Sequence, residues 1–107
     1  MNKNRIIKHL PVNFGNYLNG CVLAYWFMDN GSKHDNSGYI LNTQNFTYHE
    51  NNCLLIIFKE NFNIKVSIWK DKNNYKLYIQ SKSVKLFNAL VMPYMHSDFM
   101  YKIIPKL

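Results

Sequence analysis

The apolar and polar positions of the chain first predict a short helix. Residues 21–28 are almost all apolar, so this helix has no polar face and should be buried on all sides or against a partner. Asp29, Asn30 and Gly31 follow directly, and Gly31 suits the position just past a helix end. The pattern leaves open whether these three residues only stop the helix or also carry chemistry.

A strand and a second helix follow. Residues 39–43 lie between turn-forming residues and are typical of a strand, and residues 31–34 can supply a short strand before it. Thr47 and Glu50 have the spacing of a capping box ahead of an apolar run. They predict a helix that begins after Thr47 and extends to about residue 62.

The second half of the chain predicts a β-hairpin and a third helix. Residues 65–70 and 75–80 each alternate between apolar residues and basic or hydrogen-bonding residues, around a predicted turn at residues 71–74. Residues 83–92 carry an apolar stripe at helical spacing, and Pro93 ends that helix. Counting residues 31–34 as a strand, the predicted order is αββαββα, an α+β fold.

Net charge adds a candidate partner. The 107 residues suit one domain, and 13 Lys and Arg against 6 Asp and Glu give a net charge of +7. A phosphate-rich partner such as a nucleic acid explains this excess, and a basic surface without a role explains it equally well.

Composition indicates the kind of genome and argues against a metal or redox site and against a transmembrane helix. Asn, Lys, Ile, Tyr and Phe make up 53 of the 107 residues, and their A- and T-rich codons indicate an AT-rich genome such as organellar DNA. Cys21 and Cys53 have no metal or redox spacing, and we expect buried free thiols. No apolar run approaches the ~20 residues of a transmembrane helix.

Four segments lie in order along the chain: LAYWFMDNGSK (23–33), GYILNTQNFT (38–47), YIQSKSVKLF (78–87) and MPYMHSDFMYKI (92–103). Together they resemble the LAGLIDADG homing endonucleases, most closely the branch encoded by mitochondrial introns. A fifth segment, LPVNFGNYL (10–18), resembles the lead-in to the second motif of a two-motif member. The resemblance divides the chain into a basic lead-in segment (1–19), a LAGLIDADG domain (20–104) and a tail (105–107).

The resemblance implies a single αββαββα domain whose four-stranded antiparallel sheet forms a saddle in the DNA major groove. It also implies pairing with a second LAGLIDADG domain through the motif helix, as a homodimer or with a separate first half. On this helix we assign Leu23, Ala24 and Phe27 to domain pairing, and we interpret Tyr25, Trp26 and Phe27 as packing residues.

The motif departs from the family at its metal site. The family acid that binds Mg²⁺ belongs at the eighth position, which is Asn30 here. An amide lacks the formal charge that attracts Mg²⁺, and Asp29 should point roughly 100° away around the helix. Lys102 matches a lysine that the family places near the active site, although an ordinary surface lysine would look the same. We therefore expect impaired cleavage from this chain alone, as in a half-length or degenerate copy.

Strand alternation supplies the candidate DNA contacts. Lysine suits phosphates and guanine edges, and Asn and Gln suit adenine edges. The polar face of the predicted hairpin carries Lys65, Ser67, Trp69, Lys76, Tyr78 and Gln80, and Lys70 and Lys72 lie at or beside its tip. The other set, around the first hairpin and after it, is Lys33, His34, Asn42 and Gln44. Each could belong to a solvated sheet face, but the set on a basic chain favours nucleic acid.

Three functions stay open at this point. The main prediction is a homing endonuclease-like protein of a mitochondrial intron that binds double-stranded DNA, with Mg²⁺ as cofactor if it is active. The alternative is a maturase-like protein that binds intron RNA without nuclease activity, which the loss of the acid would not affect. The third is a remnant that does not fold alone.

Overall fold

The computed structural model describes residue 15, residues 18–35 and residues 37–105, and there it confirms the predicted fold class. The elements are α1 Gly20–Asn30, β1 Gly31–His34, β2 Gly38–Asn42, α2 Tyr48–Phe62, β3 Val66–Asp71, β4 Asn74–Ile79 and α3 Val84–Val91, with 3₁₀ helices at Ser81–Ser83, Met92–Tyr94 and Ser97–Lys102. Most of the predicted lead-in segment and the last two residues of the tail lie outside the described residues. Among the described helices, none has the length and apolar character needed to cross a membrane.

The four strands form one antiparallel sheet in the order β1-β2-β4-β3. Tyr39 and Leu41 of β2 lie opposite Ile79 and Leu77 of β4, and all four are fully buried. We call the side of the sheet that carries these residues the inner face. Because α1 contacts β2 while α2 contacts β3 and β4, the helices cover the inner face and leave the opposite, outer face without a covering layer among the described residues.

Helix starts follow the local sequence closely. The Thr47 side chain accepts a hydrogen bond from the N–H of Glu50, and Glu50 accepts one from the N–H of Thr47, so the predicted capping box is confirmed. The side chain of Asn19 caps α1 by accepting from the N–H of Val22 at 2.9 Å. Capping satisfies N–H groups that the first helical turn leaves without a partner.

The structure excludes one of the two alternatives predicted for the first helix. This domain does not bury α1 on all sides, because Tyr25 is 59% exposed and Asp29 is exposed, and burial against a partner stays a prediction. The opposite side of α1 packs into the core, where the Phe27 ring lies 4.8 Å from that of Tyr39 and 5.2 Å from that of Phe87 between centroids. The helix therefore has an outward side that the sequence pattern alone did not reveal.

One smaller prediction is confirmed and another is corrected. The predicted four-residue turn at residues 71–74 is present, since Asp71 pairs with Asn74 and two residues connect them. Cys21 and Cys53 are free thiols but are only partly buried, and the Cys53 sulfur lies 3.8 Å from Nε2 of His49.

A closed ring of buried hydrogen bonds ties the C-terminal segment to the core. The Tyr39 hydroxyl donates to Oδ1 of Asn88 at 2.5 Å, Nδ2 of Asn88 donates to the carbonyl of Ile104 at 2.7 Å, and the N–H of Ile104 donates to the Tyr39 hydroxyl at 2.8 Å. Burial raises the pKa of the Tyr39 phenol, and the two hydrogen bonds oppose that rise. The ring fixes the segment that follows Lys102.

We predict that Asn88→Ala destabilises the fold by about 1–3 kcal/mol, because it leaves buried polar groups of Tyr39 and Ile104 without partners. Asn61→Ala is the matched control, since it removes an exposed side-chain hydrogen bond to the Gly15 carbonyl and should cost about 0.5 kcal/mol or less. Urea unfolding followed by tryptophan fluorescence measures both. Equal losses for the two variants would contradict the role of the ring.

Candidate nucleic-acid interface

The position of Asn30 is set by the direct passage of α1 into β1. Asn30 is the last residue of the helix, Gly31 is the first of the strand, and the N–H of Gly31 donates to the Phe27 carbonyl. A Cβ atom at residue 31 would overlap the Phe27 ring, so only glycine fits this junction. Gly31 is extended, with φ −103°, so it is needed for space and not for the left-handed conformation usual after helices.

Asn30 contacts the Asp29 carboxylate and lines a recess with several other amide side chains. Its Nδ2 lies 3.3 Å from Oδ2 of Asp29, to which it donates a hydrogen bond. It also lines a cavity of about 50 Å³ whose other walls are Trp26, Asn42, Thr43, Gln44, Asn45 and Phe46. The site is therefore a small polar recess built largely from neutral side chains.

Lys102 reaches the same end of α1 from the C-terminal segment. Its Nζ donates to the Met28 carbonyl at 2.7 Å and lies 5.6 Å from the centroid of the Phe99 ring. A cation here pairs with a carbonyl that the helix leaves free and with the negative end of the helix dipole. Burial lowers the pKa of the Lys102 ammonium, and the charge of Asp29 opposes this effect. Lys102 thus lies against the helix end that carries Asn30.

The described residues do not form a Mg²⁺ site by themselves. They contain no group of three or more His, Cys, Asp or Glu side chains that could hold a metal. The donors at this point are the exposed Asp29 carboxylate and the Asn30 amide, with an ammonium group nearby. Mg²⁺ prefers carboxylate ligands, and the motif position offers only the neutral amide of Asn30, so the donor set of this chain does not fit the ion.

The outer face of the sheet gathers most of the predicted contact residues. Directly opposite residues of an antiparallel ladder share a face. The register therefore aligns Ser67, Tyr78, Ile40 and Ser32 in one row across the sheet and Trp69, Lys76 and Asn42 in the next. His34 lies on the same face because its ring contacts those of Trp69 and Tyr78. Gln80 joins this face by donating from Nε2 to the Ser67 hydroxyl at 3.0 Å.

Four predicted positions lie off the outer face. The register puts Lys33 opposite Tyr39 and Lys70 opposite Tyr75, on the inner-face side, and both side chains are exposed. Lys72 occupies the hairpin tip with φ 62°. Gln44 follows β2 and lines the recess beside Asn30. These residues border the outer face and are not part of its rows.

One weak ion pair and one histidine–carboxylate contact border the outer face. Nζ of Lys76 lies 3.6 Å from Oδ2 of Asp71, and Nε2 of His34 lies 3.9 Å from Oδ2 of Asp35. Both carboxylates are largely exposed, so these pairs contribute little to stability. Lys65 is also exposed, immediately before β3. The lysine side chains therefore remain accessible to an anionic ligand.

The predicted pairing residues require correction. Leu23, Ala24 and Phe27 are fully buried in the core of this domain, so their side chains cannot contact a second domain. The outward side of α1 instead carries Tyr25 and Asp29. Their spacing of four residues is the signal that could have identified this side, since such residues share a helix face. Trp26 and Phe27 are confirmed as packing residues, and Tyr25 is not.

Other residues of the interface were missed. Ile40 lies in the centre of the outer face and Asn45 in the amide-lined recess. The sequence did not show which residues of β2 lie on the outer face, because β2 has no alternation of apolar and polar residues. The structure buries four of its five residues. Only the pairing of β2 with both β1 and β4 decides which of them lie on the outer face.

Comparisons with known proteins agree with this architecture. The family model described as "LAGLIDADG DNA endonuclease family" matches residues 2–87. The chain is 38% identical to the probable intron-encoded endonuclease 1 of Wickerhamomyces canadensis, over 96% of this chain and 46% of the relative. It is 30% identical to the cytochrome b mRNA maturase bI2 of Saccharomyces cerevisiae, over 91% of this chain and 23% of the relative.

A solved structure shares the fold. The homing endonuclease I-WcaI bound to its DNA recognition sequence superposes with a TM-score of 0.79 and 36% sequence identity, over 86% of this chain and 43% of that chain. The chain thus spans less than half the length of these relatives. Its sequence, its αββαββα order and its antiparallel sheet together show that the chain belongs to the LAGLIDADG DNA endonuclease family.

Proposed function

We propose that this chain is a DNA-binding domain of an intron-encoded homing endonuclease, which binds duplex DNA through the outer face of its sheet. The observation that carries the proposal is the outer face itself. It presents His34, Asn42, Ser67, Trp69, Lys76 and Tyr78 from four adjacent strands, and no described helix covers it.

The chemistry of this face suits the major groove. That groove is about 12 Å wide and admits a two-stranded β ribbon such as the β3–β4 hairpin. Asn42 and Gln80 can form paired hydrogen bonds with adenine, and Lys76 can donate to guanine. Lys33, Lys65, Lys70 and Lys72 surround the face and suit the phosphate backbone, which supplies most of the affinity of such interfaces.

Cleavage, in this proposal, requires a second domain. The outward side of α1, with Tyr25 and Asp29, is the surface that would meet the partner helix. Self-pairing would bring two Asp29 carboxylates close together, and their mutual repulsion disfavours the pair. It would also put an amide, Asn30, at both motif positions and leave no carboxylate there for Mg²⁺. A separate LAGLIDADG domain with its own acid is therefore the better partner. The greater length of the relatives supports such a second half.

The intron-encoded and maturase names of the relatives support an intron origin in the mitochondrion. The similarity to a cytochrome b mRNA maturase also favours a second candidate function, in which the chain binds intron RNA and assists splicing. Preferential binding of the host intron RNA over duplex DNA would identify it. The outer face favours DNA, because the deep, narrow major groove of A-form RNA excludes such a sheet.

We predict that Lys65→Gln and Lys72→Gln each weaken binding to a short labelled duplex of mixed sequence and reduce the slope of log affinity against log salt by about 0.9. The physical reason is the loss of one released counterion per phosphate contact. Fluorescence anisotropy at several salt concentrations measures the slope. Lys59→Gln is the matched control, because this exposed lysine lies on α2, on the helical side of the sheet. If Lys59→Gln reduced the slope as much as Lys65→Gln and Lys72→Gln do, the result would contradict the proposed interface.

We predict no cleavage of a target plasmid by the chain alone in Mg²⁺. Asn30→Asp, combined with a separate LAGLIDADG domain that carries its own acid, should produce double-strand cleavage, since the substitution supplies the missing carboxylate. Asn45→Asp is the matched control, because it places an acid in the same recess but not at the helix end. Robust cutting by the unmodified chain, or equal rescue by Asn45→Asp, would contradict the role given to residue 30.

A further inference from the structure

We propose that the rings of His34, Trp69 and Tyr78, hereafter the aromatic cluster, recognise thymine methyl groups in the major groove. The proposal rests on the proposed DNA-binding function and adds the base chemistry that one part of the outer face reads. It makes the cluster a determinant of sequence specificity, distinct from the lysines that bind phosphates.

The three rings form a preassembled unit. The Trp69 and Tyr78 rings are stacked, with centroids 4.3 Å apart and planes 14° from parallel. The His34 ring meets both edge-on, at 5.1 Å from Trp69 and 5.6 Å from Tyr78. Stacked and edge-to-face contacts are the arrangements that aromatic rings prefer. The three rings are therefore already grouped in the chain without a ligand.

The backbone next to the aromatic cluster leaves space for the Tyr78 ring. A Cβ atom at Gly38 would lie 2.7 Å from Cε1 of Tyr78, so the absence of a side chain at residue 38 leaves the space that this ring uses. Ile40 follows on the same face, is only 9% exposed, and does not belong to the core cluster between sheet and helices. Together these residues place an apolar patch in the middle of an otherwise polar face.

The cluster opens onto a broad, shallow groove. This groove has a volume of about 630 Å³ and is lined by Ser67, Trp69, Tyr78, Gln80, Ser81 and Lys82. Ser67 and Gln80 form a hydrogen bond with each other at 3.0 Å. The Trp69 and Tyr78 rings are the large apolar side chains in the lining of the groove. A ligand in this groove should therefore bring an apolar group to the rings and polar groups to the rim.

Duplex DNA offers one such group. Thymine is the base that presents a methyl group in the major groove, next to hydrogen-bonding edges that Gln80 and Lys82 could meet. RNA carries uracil, which lacks this methyl. An unpaired base would instead stack on a free ring face, and the Trp69–Tyr78 stack occupies one face of each ring. The apolar patch within a polar, uncovered sheet face favours methyl contact in a duplex, and the RNA arm of the test distinguishes it from base stacking.

The test compares two randomised duplex libraries, one with thymine and one with deoxyuridine in its place, which removes only the methyl group. The full chain should select a site with thymine at one or a few adjacent positions. Deoxyuridine at those positions should weaken binding about fourfold per contacted methyl, and elsewhere it should have no effect. Trp69→Ala should abolish this discrimination, whereas Lys72→Gln should weaken both forms equally and preserve the ratio.

The outcomes separate the proposals. If neither library is enriched, both the DNA-binding function and this inference fail. If a site is selected but deoxyuridine binds as well as thymine at every position, the inference alone fails. Tighter binding of a single-stranded RNA, lost in Trp69→Ala, would also overturn it in favour of base stacking.

Discussion

The junction at Gly31, where α1 passes into β1 without a loop, is the constraint on which the rest of the structure depends. A side chain at residue 31 would collide with Phe27, whose ring anchors α1 against Tyr39 and Phe87 in the core. The same junction fixes Asn30 at the helix end, where Lys102 also arrives by bonding the Met28 carbonyl. One steric requirement therefore positions both the core and the candidate site.

Binding and chemistry have separate physical origins in this domain. The outer face is built from strand alternation and register, and its lysines and amides stay available whether or not Asn30 is an acid. In the proposed function, cleavage needs a charge that Asn30 does not supply and a partner domain that would meet the outward side of α1. Under that proposal, a copy of the domain can lose cleavage while it keeps the proposed nucleic-acid interface, which would also explain how one fold could serve endonucleases and maturases.

Local signals in the sequence predicted much of this fold. The Thr47–Glu50 capping box and the alternation of the hairpin were predicted correctly, because caps and strand faces depend on residues close in sequence. The outward side of α1 and the face of Ile40 were not, because both depend on what packs against them. Lys33 was predicted among the DNA contacts, and only the register shows that it lies on the inner-face side. Lys70 was predicted at or beside the hairpin tip, and it lies there, one residue before the last pair of the ladder. Asn30 and Lys102 came from the family resemblance, since their sequence separation hides their proximity.

Nuclear magnetic resonance of the ¹⁵N-labelled chain, titrated with duplex DNA, tests the central claim most directly. Strand amides near Ser32, Asn42 and Ser67 and the indole N–H of Trp69 should shift, because they lie on or beside the outer face. Amides of α2, such as those of Lys59 and Asn61, should stay unchanged. Shifts concentrated on α2, with the Trp69 indole unaffected, would contradict the account.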